Sequence, residues 1–289
     1  MTILSLVQQC TTQLMIPQPS SVIGNTDNNI ILIRSIMERT ARDIANDYPW
    51  PELQKEYTFT LTTSASYPLP SDMDRMQFET LWNRTQHWPM IGPVDSVAWQ
   101  QYKSGLVVSL PRQRFRVKGW ATNQFFIDPT PDSGISGQTM AFEYISRSLF
   151  RPKTWVTGTV FAASSYCSYN GNIYSTTAGG TAGATPPTHT TGSASDGGVT
   201  WVYFSAAYES IITDTDESIL DPNMLIDGTV WRFKMERGLE YQELKKRAED
   251  DIEKLKTHLQ GSGVLSFNRW RMATPMIGPW NYPEGNYGI

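Results

Sequence analysis

The residues able to do chemistry are few in this sequence, and their spacing limits what that chemistry could be. The three histidines, His87, His189 and His258, fall in a predicted strand, in a Gly/Thr/Pro-rich loop and on the polar face of a predicted helix. None stands in an H-E-x-x-H, a nucleophile elbow, a phosphate loop or a zinc spacing. Asp214, Asp216 and Glu217 with Asp221 make up the one acidic cluster outside the charged C-terminal helix. Carboxylates so grouped could hold a cation, but ahead of a helix they more commonly accept backbone hydrogen bonds in turns and caps, and that reading is adopted. Cleaving a glycan would take two carboxylates at a set separation, which a linear sequence does not display. No catalytic residue, metal site or cofactor is assigned, and the chain is read as not an enzyme.

Three other groups carry recognition chemistry. Arg112, Arg114, Arg116 and Lys118 alternate along one predicted strand, either as a solvated edge that resists aggregation or as a contact to DNA phosphates or an acidic neighbouring subunit. Trp155, Tyr174 and Trp201 could stack on sugar rings or on a partner; the competing reading makes them the core of a small module. Phe267, Trp270, Met276, Trp280, Tyr282 and Tyr287 lie among prolines and glycines near the C-terminus. Proline spacing forbids a helix there, yet the segment is too apolar for a solvated tail. An extended arm that lays aromatics on a partner fits both facts, and an arm folded back on its own subunit is the alternative.

The chain has 289 residues, 39% of them hydrophobic and 18% charged, enough to bury a sizeable core. A net charge of -4 argues against gripping nucleic acid through a broad basic face, though a weakly acidic wall would let DNA slide without adhering. Cys10 and Cys167 are far apart in sequence, so free thiols are expected. No signal peptide and no membrane span are read, which points to synthesis in a reducing cytosol.

These residues must be positioned by elements of two kinds. Ile3, Leu6, Val7, Cys10 and Leu14 predict a short helix over residues 2–15, stopped by Pro17 and Pro19. Asn25-Thr26-Asp27 caps a longer one over 28–47, closed by Tyr48-Pro49-Trp50-Pro51. From Gln54 the period changes to two, with Tyr57, Phe59 and Leu61 alternating with threonines. Residues 67–72 read as a turn, 78–82 and 87–91 as strands, and 93–104 as a short helix. Residues 115–120, 124–127 and 138–145 read as further strands, the last two separated by a turn over 128–134. The expected fold is α+β: a helical bundle with an antiparallel β region, an inserted small all-β module and an extended C-terminal arm.

The module is placed at residues 151–205, where charges nearly vanish and Thr, Ser, Gly and aromatics dominate. Asn170-Gly171 supplies a type I′ hairpin, and residues 179–198 read as a long loop. Removing 153–205 would rejoin Tyr144-Ile145-Ser146 to Tyr208-Glu209-Ser210 without losing a core helix. The core is accordingly 1–150 with 206–262, and the arm is 263–289.

Asp221-Pro222 should start a helix whose apolar residues Leu225, Val230, Trp231, Phe233 and Met235 wrap round much of its surface, so it should be packed on more than one side. Gly238 offers a corner, and beyond it Leu244, Ala248, Ile252, Leu255 and Leu259 make a one-sided helix.

The run Trp231-Arg232-Phe233-Lys234-Met235-Glu236-Arg237-Gly238-Leu239-Glu240-Tyr241, with the charged helix after it, resembles the closing segment of head-to-tail adaptor (connector) proteins of short-tailed bacteriophages. Phe142-Glu143-Tyr144-Ile145-Ser146, Ala41-Arg42-Asp43-Ile44-Ala45 ending near Trp50-Pro51, and Tyr67-Pro68-Leu69-Pro70 before Asp72 extend the resemblance to about two thirds of the chain. It implies a dodecameric ring beneath the portal protein, part of the DNA ejection channel at the head–tail junction of the virion, assembled in the bacterial host cytoplasm. The implied partners are the portal, neighbouring adaptor subunits, tail nozzle or tail fibre proteins and, transiently, genomic DNA, with no membrane. The inserted segment, with N-G-x-x-Y followed by D-G-G-x-x-W, resembles compact modules of phage tail proteins and some chitinases. The alternative function is therefore a glycan-binding tail or receptor protein acting through that module.

Overall fold

The computed structural model describes residues 1–77, 79–105, 113–118 and 124–260. In chain order the elements are α1 (Ile3–Gln13), α2 (Asn28–Asp47), β1 (Gln54–Thr60), β2 (Ser66–Pro68), β3 (Met73–Met76), β4 (Trp82–Asn83), β5 (Trp88–Pro89), α3 (Ser96–Lys103), β6 (Arg114–Lys118), β7 (Gln124–Asp128) and β8 (Thr139–Ser146). They continue as β9 (Phe150–Arg151), β10 (Val160–Phe161), β11 (Tyr166–Tyr169), β12 (Asn172–Thr176), β13 (Gly180–Thr181), β14 (Ser193–Asp196), β15 (Val199–Ser205), β16 (Glu217–Ser218), α4 (Pro222–Glu236) and α5 (Gln242–Gln260). The class is α+β, with antiparallel pairing between the described strands. Two compact units emerge: Met1–Gln54 with Ser146–Gly261, and Lys55–Ile145.

In the first unit α4 packs against α1, α2 and α5. Asp27 caps α2 by accepting from Asn29 N at 2.8 Å, and Asp221 caps α4 by accepting from Asn223 N at 2.8 Å, with Pro222 in the first turn. Beyond α2 the chain turns extended at Tyr48, and Trp50 folds under it, fully buried and donating from Nε1 to Ile44 O at 2.7 Å. The start of α1 is held by Ile3 N donating to Asp216 O at 2.7 Å.

Residues 151–205 contribute a four-stranded sheet in the order β11-β12-β15-β14 and a β10–β13 pair. They enclose a cluster of their own, formed by Phe161, Cys167, Tyr174, Ala182, Val199 and Trp201. Asn170 at φ 47° and Gly171 at φ 80° form the β11–β12 turn, the two positive φ values a type I′ hairpin requires. The expected long loop over 179–198 is instead partly structured, since β13 and β14 both lie inside it. Glycine makes this possible: a Cβ on Gly180 would sit 2.1 Å from Gly198 O, and one on Gly183 2.4 Å from Asp196 Oδ1. A glycine-rich stretch that reads as loop from composition is here the condition for two backbones to touch.

The second unit holds the three-stranded sheet β2-β7-β6 and the sheet β1-β8-β4-β5, with β3 also on β8. Its core joins Leu61, Tyr67, Met73, Leu81, Phe115, Phe125, Ile127 and Phe142. Tyr67 lies in β2 rather than a turn; its hydroxyl accepts from Thr62 N and donates to Thr62 O, and the turn comes later, at Ser71–Asp72. The strands expected over 78–82 and 87–91 shrink to two residues each, and Phe78 lies outside the described residues. Asn83 Oδ1 accepts from Thr85 N and Gln86 N, a side-chain-driven turn that ends pairing early. His87, with φ 57°, belongs to that turn.

Candidate functional site

The segment that carries the resemblance runs from the end of α4 into the turn before α5. Gly238, at φ 69° and with open space around it, lets the chain reverse after α4. Trp231 then stacks on Tyr241 with centroids 6.2 Å apart, while Arg232 and Lys245 stand 4.6 and 5.7 Å over its ring. Arg232 also donates to Thr40 Oγ1 and Asp43 Oδ2, both at 2.9 Å. Burial lowers its pKa, against the opposing pull of Asp43. Arg237 donates to Asn29 on α2. The motif that carries the resemblance is thus largely occupied in fixing α4 to α2 and α5.

Seven residues of α4 are buried, Met224, Leu225, Ile226, Gly228, Thr229, Val230 and Phe233, so it is packed on more than one side as its sequence predicts. Met235 departs from that pattern and is exposed. Along α5 the one-sided stripe is present but thinly covered. Ala248 is buried, Leu244, Ile252 and Leu255 are half-buried, and Leu259 is 43% exposed. Lys256 ties the far end to α2 through Asp47 at 2.6 Å. Between α1, α4 and α5 lies a cleft of about 100 Å³ lined by Gln13, Asp227, Val230, Leu244 and Arg247. Burial raises the pKa of Asp227, Arg247 opposes the rise and Asp251 adds to it. The same carboxylate reinforces the effect of burial on the Cys10 thiol, pushed up to about 12. Asp227 and Gly228 were not singled out from sequence, although one acid inside the apolar run Leu225-Ile226-Asp227-Gly228-Thr229-Val230 is a usable signal.

The basic strand does not present a uniform face. Arg112 lies outside the described residues. Arg114 is 1% exposed, its guanidinium 3.5 Å over the Tyr102 ring and 3.5 Å from Asp128, so it has no route to a DNA phosphate or a neighbouring subunit. Arg116 is half-buried and donates to Ser96 Oγ at 2.7 Å. Lys118 is exposed and stands 4.4 Å over the Phe126 ring.

In the module, Tyr174 and Trp201 are completely buried, which removes them as stacking surfaces for a sugar. Trp155 is half-buried and donates from Nε1 to Asp196 Oδ2 at 3.0 Å, while Asp196 Oδ1 accepts from Thr185 N. The Asp of the D-G-G-x-x-W run is therefore a structural staple. An exposed aromatic that sequence reasoning passed over, Phe204, meets Tyr166 edge-on at 5.1 Å.

The acidic cluster is spent locally. Asp216, fully buried, accepts from Tyr208 Oη, Ile212 N and Thr213 N; Asp214 accepts from Val22 N and Ile23 N; Glu217 pairs with Arg151; and Asp221 caps α4. Its role is the turn-and-cap one. His189 lies beside Tyr174 at 5.1 Å, whereas His87 and His258 are exposed. Among the described residues no group of three His, Cys, Asp or Glu side chains is placed to hold a metal, and no helix is long and apolar enough to cross a membrane. Phe267, Trp270, Met276, Trp280, Tyr282 and Tyr287 all fall outside the described residues. Compared with known proteins, the chain matches no protein-family model and no curated protein.

Proposed function

We propose that this chain is a structural virion protein, a head-to-tail adaptor that docks as a ring on the portal and offers its other face to tail nozzle or tail fibre proteins. Helices α1, α2, α4 and α5 would form a bundle serving as the wall of a DNA ejection channel, with the C-terminal segment as an arm to a neighbour or the portal. The observation that carries the reading is α5. A helix of 19 residues with a regular apolar stripe buries Ala248 alone, and such a surface is suited to being completed by another protein. The motif from Trp231 to Tyr241, and the acidic balance of the whole chain, agree with a channel component that does not grip DNA. Burial of Tyr174 and Trp201 weighs against the glycan-binding alternative.

Sizing the purified chain with and without a portal ring tests the proposal. The chain is expected to elute alone as a small species and to move into the ring fraction when the portal is present; continued separate elution overturns it. Trp280→Ala should abolish that shift while leaving the melting transition unchanged. Deleting residues 153–205 should leave portal docking intact, whereas a receptor protein would lose adsorption to cells.

A further inference from the structure

We propose that the cleft between α1, α4 and α5 is a binding site for a small zwitterion, a free α-amino acid with no side chain or a short apolar one. The inference stands apart from the adaptor reading and rests on an ion pair that the fold sets up without closing. Asp227 and Val230 are three residues apart on α4, and Leu244 and Arg247 are three apart on α5, so each helix turns one charged and one apolar side chain towards the same space. Gln13, at the end of α1, completes the lining. Asp227 is half-buried and Arg247 exposed, and their charges act on each other through space with no hydrogen bond between them. Among the described residues neither side chain has an ion pair or a hydrogen-bond partner. The other titratable groups nearby are spent or silent. Asp251, further along α5, is held by Lys254 at 2.7 Å, and the Cys10 thiol on α1, pushed up to about 12, carries no charge at neutral pH.

One anionic acceptor and one cationic donor therefore remain for a ligand. The space they border, about 100 Å³, is several times what one water needs and less than the roughly 150 Å³ that admits benzene. A molecule of about five or six non-hydrogen atoms fits it. Glycine and alanine are of that size and carry both charges that the cleft lacks. The ammonium would donate to the Asp227 carboxylate, and the carboxylate would accept from the Arg247 guanidinium, whose planar fork suits two parallel bonds. An alanine methyl would lie on Val230 and Leu244. A ligand of one sign gains less, because a cation is repelled by Arg247 and an anion by Asp227. Burial raises the pKa of Asp227 and Arg247 offsets it only in part; an ammonium in contact supplies what the guanidinium does not supply from a distance.

The experiment titrates the full-length protein with alanine and follows the backbone amide signals of Asp227, Val230, Leu244 and Arg247 by NMR. Glycinamide, which lacks the carboxylate, N-acetylalanine, which lacks the ammonium, and acetamide, which is neutral, are the comparison probes. Alanine is expected to shift the four amides saturably and to bind at least tenfold more tightly than any of the three. Asp227→Asn and Arg247→Gln should each weaken alanine at least tenfold, with the melting transition of each variant showing that it is folded. Asp227→Asn should at the same time tighten N-acetylalanine, since the carboxylate that repelled it is gone, and a loss of folding cannot produce that reversal of preference. Alanine that leaves the four amides unmoved up to tens of millimolar overturns the proposal, the result expected if the cleft holds water alone or if Asp227 and Arg247 close on each other. So does glycinamide or acetamide binding as tightly as alanine, or alanine binding that survives both substitutions.

Discussion

Helices α4 and α5 are consecutive, similar in length and joined by one glycine corner, yet they solve opposite problems. The apolar residues of α4 follow no single face, and it is packed against α1, α2 and α5. The regular stripe of α5 looks far more like a core helix on paper, but it buries one alanine. The difference teaches that periodicity measures how a helix could be buried, not how much of it is. An irregular apolar pattern signals packing on several sides, whereas a clean stripe signals packing on one.

The contrast can be broken first at the centre of α4. Leu225 is fully buried, and Leu225→Ala should cost about 2–5 kcal/mol in denaturant unfolding; a loss like that of a surface position would mean α4 is not the keystone. Next comes Gly228, where a Cβ would lie 2.6 Å from Thr40 Cγ2. Gly228→Val should destabilise by about 1–3 kcal/mol through overpacking, and pairing it with Thr40→Ser should recover part of that loss.

Asp227 sharpens the comparison, since it sits in α4 yet faces the cleft beside α5. Its folded pKa is raised, mainly by burial, so the folded state holds the proton more tightly than the unfolded chain does. The resulting penalty is absent below the ordinary aspartate range and grows as pH climbs from that value through the raised one. Asp227→Asn should therefore raise the melting temperature at neutral pH, and the gain should vanish in acid; an equal gain at both pH values would rule this cause out.

The smallest effect belongs to the α5 latch. Lys256, held above the usual lysine range by its hydrogen bond to Asp47, contributes stability that is present at neutral pH and lost only as pH rises past that range. Because Asp47 is half exposed, Lys256→Gln should cost at most about 1 kcal/mol. Its clearest readout is faster amide exchange in the last turns of α5, with α4 unchanged.

Much of the fold was legible because its signals are local. The cap at Asp27 and the prolines at 49 and 51 bracket α2 at the expected Asn28–Asp47, and Asp221-Pro222 and Asn170-Gly171 act on neighbours a few bonds away. Misreadings came where the deciding partner is distant in sequence. Tyr67 is drawn into a strand by Phe125, and Gly180 into close contact by Gly198. Arg114 is buried through Tyr102 and Asp128 although its alternating pattern reads as an exposed face.

By itself the sequence determined where α2 begins and ends and where α4 begins, which face of α5 is apolar, and that one stretch of nearly uncharged residues is rich in β-strand, because capping, φ restriction and periodicity are properties of adjacent residues. Only the tertiary structure decided which side chains lose their water: Tyr174, Trp201 and Arg114 entirely, the stripe of α5 only in part. Burial depends on what the rest of the chain brings alongside, and no local rule contains that information.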